Sequence, residues 1–150
     1  LRDLSLGTWH IDIVGEGPFR KVLKSMIEKY NIKNTTFHGW IDNKNPKMKE
    51  FYGKATIFIS ASYFESFGQT VLEAISAGCF PLLSDIRGHR FIINDEQCFF
   101  KPGDISEIRS KIKDTITKKE LPSLTFDIKK FEWNNIVKRY ITVLETISKT

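Results

Sequence analysis

Residues 60–73 read Ser60-Ala61-Ser62-Tyr63-Phe64-Glu65-Ser66-Phe67-Gly68-Gln69-Thr70-Val71-Leu72-Glu73, and the runs on either side of them decide the architecture. Residues 55–60 are almost continuously apolar, the pattern of a strand buried on both faces. From Gly68 the chain reads as a helix over 68–77 that stops at Gly78, with Pro81 close behind. A second apolar run, 80–84, follows at once. A strand, a helix and another strand in such short order are a parallel crossover unit.

The same alternation extends in both directions. Residues 9–14 read as a strand, broken by Gly15-Glu16-Gly17-Pro18. Pro18 suits a first helical turn, and Phe19, Val22, Leu23, Met26, Ile27 and Tyr30 then recur every three or four positions. Arg20, Lys21, Lys24 and Glu28 occupy the opposite face. A strand over 35–38 ends at Gly39, and a short helix over 47–52 follows Pro46. Beyond residue 84 the pattern predicts a short helix over 87–93 and a short strand over 97–100. Asp104 is a suitable cap for a helix with the stripe Ile105, Ile108, Ile112 and Ile116. A loop over 118–126 precedes a closing helix over 133–148, with Ile136, Val137, Tyr140, Val143, Leu144 and Ile147 on one face. The expectation is one α/β domain over 1–150, a Rossmann-like doubly wound parallel sheet with helices on both faces. Ligands in such sheets sit at the carboxyl ends of the strands, which directs attention to the residues after Val14, His38, Ser60 and Ser84.

Composition narrows the function classes. With 41% hydrophobic and 13% aromatic residues the chain can build a core, so a disordered chain is excluded. Lys and Arg number 23 against 18 Asp and Glu, a net +5 spread along the chain that favours phosphates or an anionic membrane surface. Two cysteines, Cys79 and Cys98, exclude a disulfide scaffold and a multi-cysteine zinc site. No run is long enough to span a bilayer, and residues 1–6 are not a signal peptide. There is no G-x-S-x-G elbow and no Walker sequence. The aromatics do not alternate with basic residues as a nucleic-acid stacking platform requires, so no nucleic-acid partner is expected. Gly15-Glu16-Gly17-Pro18 starts like a dinucleotide fingerprint, but Arg20 stands where the third glycine belongs.

The chemistry concentrates in the opening stretch. Free N–H groups at the start of the helix point into the loop, and the helix dipole favours an anion there. Gly68 removes the side chain that would block a phosphate. Glu65 precedes the helix, while Glu73 lies one to two turns inside it on the face of Gln69, Thr70 and Ala77. Carboxylates so placed can accept hydrogen bonds from sugar hydroxyls at the two ends of one elongated ligand. Spacing alone leaves open that Glu65 is a solvated loop residue and Glu73 a surface helix residue.

An ordered set of motifs weights that choice. Residues 9–18 (Trp9-His10-Ile11-Asp12-Ile13-Val14-Gly15-Glu16-Gly17-Pro18), Thr36-Phe37-His38-Gly39-Trp40, the E-x7-E spacing of Glu65 and Glu73 and the continuation from Glu73 through Ala77-Gly78-Cys79-Phe80-Pro81 fall in sequence order. Pro102-Gly103-Asp104 and Phe131-Glu132-Trp133 complete it. Together they resemble the C-terminal, donor-binding lobe of a retaining glycosyltransferase of the GT-B fold, family 4 (group 1) type. The resemblance implies a hexosyltransferase that takes a nucleotide-diphosphate sugar as donor and a glycan or lipid-linked acceptor through an N-terminal lobe, with no cofactor and no metal. It implies that Glu65 contacts the donor hexose as the catalytic-site carboxylate and that Glu73 holds the ribose hydroxyls. Phe67, Gly68 and Gln69 would offer backbone N–H groups to sugar and diphosphate, and Thr70 would help hold the distal phosphate. Gly15 would admit the donor to the backbone, and His38, Gly39 and Trp40 would frame the base.

The chain departs from the family pattern in places. Phe91 stands where Glu is common, Ala61 where Pro is common, and Cys98 where Gly is frequent. The first strand of the lobe, with the Arg and Lys that meet the diphosphate, is expected upstream of residue 1, and residues 1–6 read as the end of its helix. An isolated fragment of this kind is expected to be inactive and, with a sheet edge open, to be either less stable or self-associating. The implied location is the cytoplasm, peripheral at the inner face of a membrane. The alternatives carried alongside are a noncatalytic nucleotide-sugar-binding module and a protein-interaction module on the same fold.

Overall fold

A computed structural model describes residues 9–118 and 120–147. Strands and helices alternate as the hydrophobic pattern predicts. β1 (Ile11–Val14), α1 (Arg20–Lys29), β2 (Thr35–Gly39) and α2 (Pro46–Lys54) come first. β3 (Ile57–Ser60), α3 (Gln69–Ser76), β4 (Phe80–Ser84) and α4 (Arg87–Ile92) follow. β5 (Phe99–Phe100), α5 (Ile105–Thr117) and α6 (Trp133–Ile147) complete the order. All strand pairs are parallel.

The strands form two ladders where the sequence suggested one. β1 pairs with β2, from Ile11 opposite Thr35 to Val14 opposite Gly39, with a shift of register at Ile13 and Val14. β3, β4 and β5 pair in that order. Among the described residues no ladder joins β1 to β3, so each keeps one unpaired edge. The expected first strand and the reading of residues 1–6 lie outside the described residues. β3 is also less enclosed than its apolar sequence implied: Ile59 is 44% exposed, because β3 is an edge strand. The central strand β4 is buried at all five positions, with β3 and β5 on its flanks and α3 and α5 packed against it.

The core follows from this arrangement. Val71, Phe80, Leu82, Leu83, Ile92, Ile93, Cys98, Phe99 and Phe100 form one buried cluster. Each fully buried Leu or Ile contributes about 2 kcal/mol. Leu124, Phe126 and Phe131 pack against the cluster, so the segment after α5 is a strap over the core. The apolar stripe of α6 forms as expected but remains largely open, with Tyr140, Leu144 and Ile147 each at least 65% exposed. No helix among the described residues is long and apolar enough to cross a membrane. Both cysteines are buried and free, and burial pushes the Cys98 thiol up to about 12.

The strand predicted over 97–100 is shortened to β5 because a 3-10 turn, Glu96–Cys98, takes its first half. Asp95 causes this. Its carboxylate accepts from the Gln97 backbone N–H at 3.3 Å, the Gln97 side chain at 2.9 Å and the Thr125 N–H at 3.4 Å. Burial pushes the Asp95 carboxyl up, but these bonds outweigh it and hold it below the usual range. A depressed folded-state pKa gives stability that is present above the unfolded value and lost as pH falls through the folded one. Asp95→Ala is therefore expected to lower the melting temperature at neutral pH. The gap from wild type should narrow as pH falls below the ordinary carboxylate range in a calorimetric pH series.

Candidate functional site

The loop over 61–68 leaves the carboxyl end of β3 and turns into α3 at Gly68. Gly68 is buried, with φ +77, and caps α3 in the left-handed region that favours glycine. A Cβ there would meet Ile92 Cγ1 at 3.3 Å. The Gly68 carbonyl accepts from Val71 and Leu72 N–H, while Gln69 and Thr70 at the first turn have no intrahelical acceptor for theirs. The helix start therefore offers donors and a positive dipole end just beyond the loop.

Glu65 is half-buried, and its Oε1 accepts from the Phe67 N–H at 3.2 Å. The expectation that the Phe67 N–H faces a ligand is thus not met in this geometry, since Glu65 takes that donor. The Phe67 ring packs into an aromatic cluster, 6.2 Å from both Phe91 and Phe131. Gly88 in α4 lies against the Glu65 backbone, where a Cβ would sit 2.1 Å from the Glu65 carbonyl oxygen.

Glu73 is half-buried too, and both carboxylate oxygens are held. Gln69 Nε2 donates to Oε1 at 3.2 Å, and Tyr52 Oη donates to Oε2 at 3.1 Å. These two bonds tie the Glu73 carboxylate to α2 and to the first turn of α3. Tyr52 is the residue that sequence reading missed. Burial, followed by its hydrogen bond to Glu73 and that carboxylate's charge, raises the Tyr52 hydroxyl above its ordinary value, so it stays a donor. The signal was present as an aromatic with a polar tip on the predicted helix over 47–52, but only the fold brings it across to α3. Tyr52→Phe is expected to weaken nucleotide binding by the full-length protein about twentyfold, the scale of one hydrogen bond to a charged group, read by calorimetry.

The other residues gather at the carboxyl ends of β1 and β2. Gly15 adopts φ +127, its N–H donates to the Gly39 carbonyl at 2.7 Å, and its missing Cβ faces open space. Gly39 is buried with φ +73, and a Cβ there would meet Glu16 Oε1 at 2.8 Å. Glu16 is itself paired with Arg20. His38 Nε2 donates to Asp12 Oδ1 at 2.6 Å, and its ring packs on Phe51 of α2 at 4.4 Å. Trp40 is 69% exposed. His38 and Tyr52, through α2, thus connect this group to Glu73.

Two clefts lie elsewhere. One of about 570 Å³ is lined by Phe67, Phe91, Phe131, Tyr140, Lys130 and Arg139 among others, and the second by residues around Asp85, Glu96 and Lys111. Neither is lined by Glu65 or Glu73. Among the described residues no cluster of three His, Cys, Asp or Glu is placed to hold a metal ion.

Comparison with known proteins bears on this arrangement. A family model described as glycosyl transferases group 1 matches residues 1–124. The chain belongs to that family. Among curated relatives of this group 1 domain, a poly(glycerol-phosphate) alpha-glucosyltransferase of Bacillus subtilis is 34% identical over 87 residues, 57% of this chain and 12% of that protein. The phosphatidylinositol N-acetylglucosaminyltransferase GPI3 subunit of Saccharomyces cerevisiae is 23% identical over 92% of this chain and 32% of its own length. The chain thus spans a third or less of these relatives. Among solved structures, the catalytic domain of a cholesterol-alpha-glucosyltransferase from Helicobacter pylori matches at 26% identity and TM-score 0.58, covering 69% of this chain and 65% of that one. The lipopolysaccharide outer core galactosyltransferase WaaB matches in fold at TM-score 0.77 and 21% identity, over 95% of this chain and 41% of that one. The group 1 domain therefore has the α/β architecture of GT-B lobes, with parallel strands and interleaved helices.

Proposed function

We propose that this group 1 chain is the donor-binding C-terminal domain of a retaining hexosyltransferase, which passes a hexose from a nucleotide-diphosphate sugar to a glycan or lipid-linked acceptor. One observation carries the reading. Glu65 and Glu73 bracket a helix start whose left-handed, buried Gly68 leaves the Gln69 and Thr70 donors accessible, and Tyr52 and Gln69 hold the Glu73 carboxylate in place. In this reading Glu73 accepts from the ribose hydroxyls and Glu65 from the hexose. The N–H groups at Gly68 and Gln69, with Thr70, meet the diphosphate; no metal or cofactor is assigned. Gly15 admits the donor to the backbone, and His38, Gly39 and Trp40 frame the base.

The reaction breaks the bond between the anomeric carbon and the diphosphate oxygen, whose electron pair leaves with the diphosphate. The acceptor oxygen bonds the same carbon from the same face, and its proton passes to the departing diphosphate oxygen. Charge builds on the leaving diphosphate, so fixed N–H dipoles at a helix start are stronger partners in the transition state than in the ground state. Glu65 orients the hexose and is not a covalent nucleophile. The alpha linkage in the names of two relatives supports retention from an α-linked donor. Their named acceptors, a glycerol-phosphate polymer and cholesterol, share no chemistry at the donor end, which agrees with acceptor choice lying in another lobe. The same reading puts the reaction in the cytoplasm, peripheral to a membrane where the acceptor is lipid-linked.

The test is calorimetry on the full-length protein with UDP, GDP and ADP and with the hexose ester of each. Binding of one nucleoside diphosphate, strengthened by its sugar and followed by sugar transfer or slow donor hydrolysis, supports the reading. Binding without either reaction supports a noncatalytic module. Failure to bind any of them refutes a donor site and favours an interaction module.

A further inference from the structure

His89, in α4, is fully buried, yet the family resemblance gave it no role. Its ring lies between the carboxyl ends of two neighbouring strands, and both nitrogens are engaged. Nδ1 is 2.8 Å from the Ser84 carbonyl oxygen and 3.3 Å from Ser84 Oγ, and Nε2 is 3.2 Å from Ser60 Oγ. The proton positions follow from chemistry. A carbonyl only accepts, so Nδ1 carries the hydrogen, and the bare Nε2 accepts from the Ser60 hydroxyl. Ser62 Oγ, 3.3 Å from Ser60 Oγ, then donates to it, and the Ser84 hydroxyl donates to the Ser62 carbonyl. Every hydroxyl hydrogen is used once, and the chain of bonds runs in one direction.

We propose that His89 is a positioning residue for Glu65. It locks the tips of β3 and β4 together and so fixes where the loop over 61–68 leaves the sheet. The inference rests on the donor-site reading above. The adjacent Gly88 grips the same loop four residues on, with space for hydrogen only between it and the Glu65 carbonyl. α4 therefore touches the loop at its root, through Ser60 and Ser62, and at Glu65 itself. A purely apolar residue at position 89 would leave the half-buried Ser60 hydroxyl with Ser62 alone and the Ser84 carbonyl with the Ile86 N–H alone, and the strand tips would lose the ring that joins them. A neutral imidazole supplies one donor and one acceptor at opposite sides of a rigid ring, which suits it to joining two strand ends.

If the role is positional, its effect falls on the hexose that Glu65 contacts and spares the nucleotide that Glu73 contacts. The experiment is calorimetry on full-length wild type, Ser60→Ala and Ser60→Thr with UDP against UDP-glucose, GDP against GDP-mannose and ADP against ADP-glucose. Ser60→Ala is expected to leave nucleoside diphosphate affinity within about twofold. It should cut the added affinity due to the sugar by about fivefold, the scale of one neutral hydrogen bond. Ser60→Thr, which keeps the hydroxyl, should restore that increment. Equal weakening of both ligands, or an unchanged sugar increment, overturns the inference alone. A wild type that binds no nucleotide sugar overturns the donor-site reading and this inference with it. Nitrogen-15 NMR of the His89 ring gives a readout independent of ligand: a proton on Nδ1 and none on Nε2 supports the network, and the opposite tautomer overturns it.

Discussion

Glu73→Ala in the full-length protein is expected to weaken nucleotide and nucleotide-sugar binding alike, by about a hundredfold. A carboxylate accepting from two ribose hydroxyls makes charge-assisted bonds, and losing the pair costs about 3 kcal/mol. The geometry argues that this loss will appear in affinity and not in folding. Glu73 is half-buried on α3 while the core lies on the opposite face through Val71 and Ala74. Removing it frees two donors, Tyr52 Oη and Gln69 Nε2, the second on an exposed residue. Glu73→Gln keeps the shape and one acceptor, so it should fall between wild type and Ala. The check is calorimetry with the nucleotide that wild type prefers, beside a thermal melt showing an intact fold. Unchanged affinity in Glu73→Ala would remove the ribose contact from the proposal.

The second large effect is expected at Gly88. Its φ is unremarkable, so the demand for glycine is one of space: a Cβ would stand 2.1 Å from the Glu65 carbonyl oxygen and 2.8 Å from its carbonyl carbon. Both obstacles are backbone, which cannot swing aside as a side-chain tip can. Gly88→Ala must push α4 away from the loop, or the loop away from α4. Overpacking of this kind costs about 3 kcal/mol, a fall of roughly 10 °C in melting temperature for a domain of this size. The surviving folded protein should show Glu65 displaced, hence a weaker sugar increment even below the melting transition. Gly88→Ala with a wild-type melting curve and sugar increment would show that the close approach is not maintained in solution.

The sequence was most informative where local pattern and burial agree. Residues 80–84 read as a strand, and β4 is the most enclosed one, because a central parallel strand is apolar on both faces. Residues 55–60 carry the same signature, yet β3 is partly open: periodicity reports composition and cannot tell a central strand from an edge strand. Gly68 was legible as a helix start because its role is local. Gly88 was not, since the atoms that demand it belong to residue 65. Glu65 and Glu73 drew attention by standing on either side of a helix start, whereas Tyr52, which holds one of them, is 21 positions away and is brought near only by the packing of α2 on α3. His89 belongs to no motif, and only the fold shows which two strand ends it joins.

The division of the sheet has a consequence for motion. Every fully buried side chain among the described residues belongs to the stretch from Val71 to Thr115, and α1 contributes none. Amides of Leu82, Leu83 and Ser84 should therefore exchange with deuterium only through global unfolding, while those of Asp12, Ile13 and Phe37 should exchange through cheaper, local openings. The softer half carries Gly15, which admits the donor to the backbone, and His38 and Gly39, assigned to the base. Nucleotide capture would then stiffen the weaker half of the domain, and part of the ligand's selectivity would be written in the entropy of that ordering.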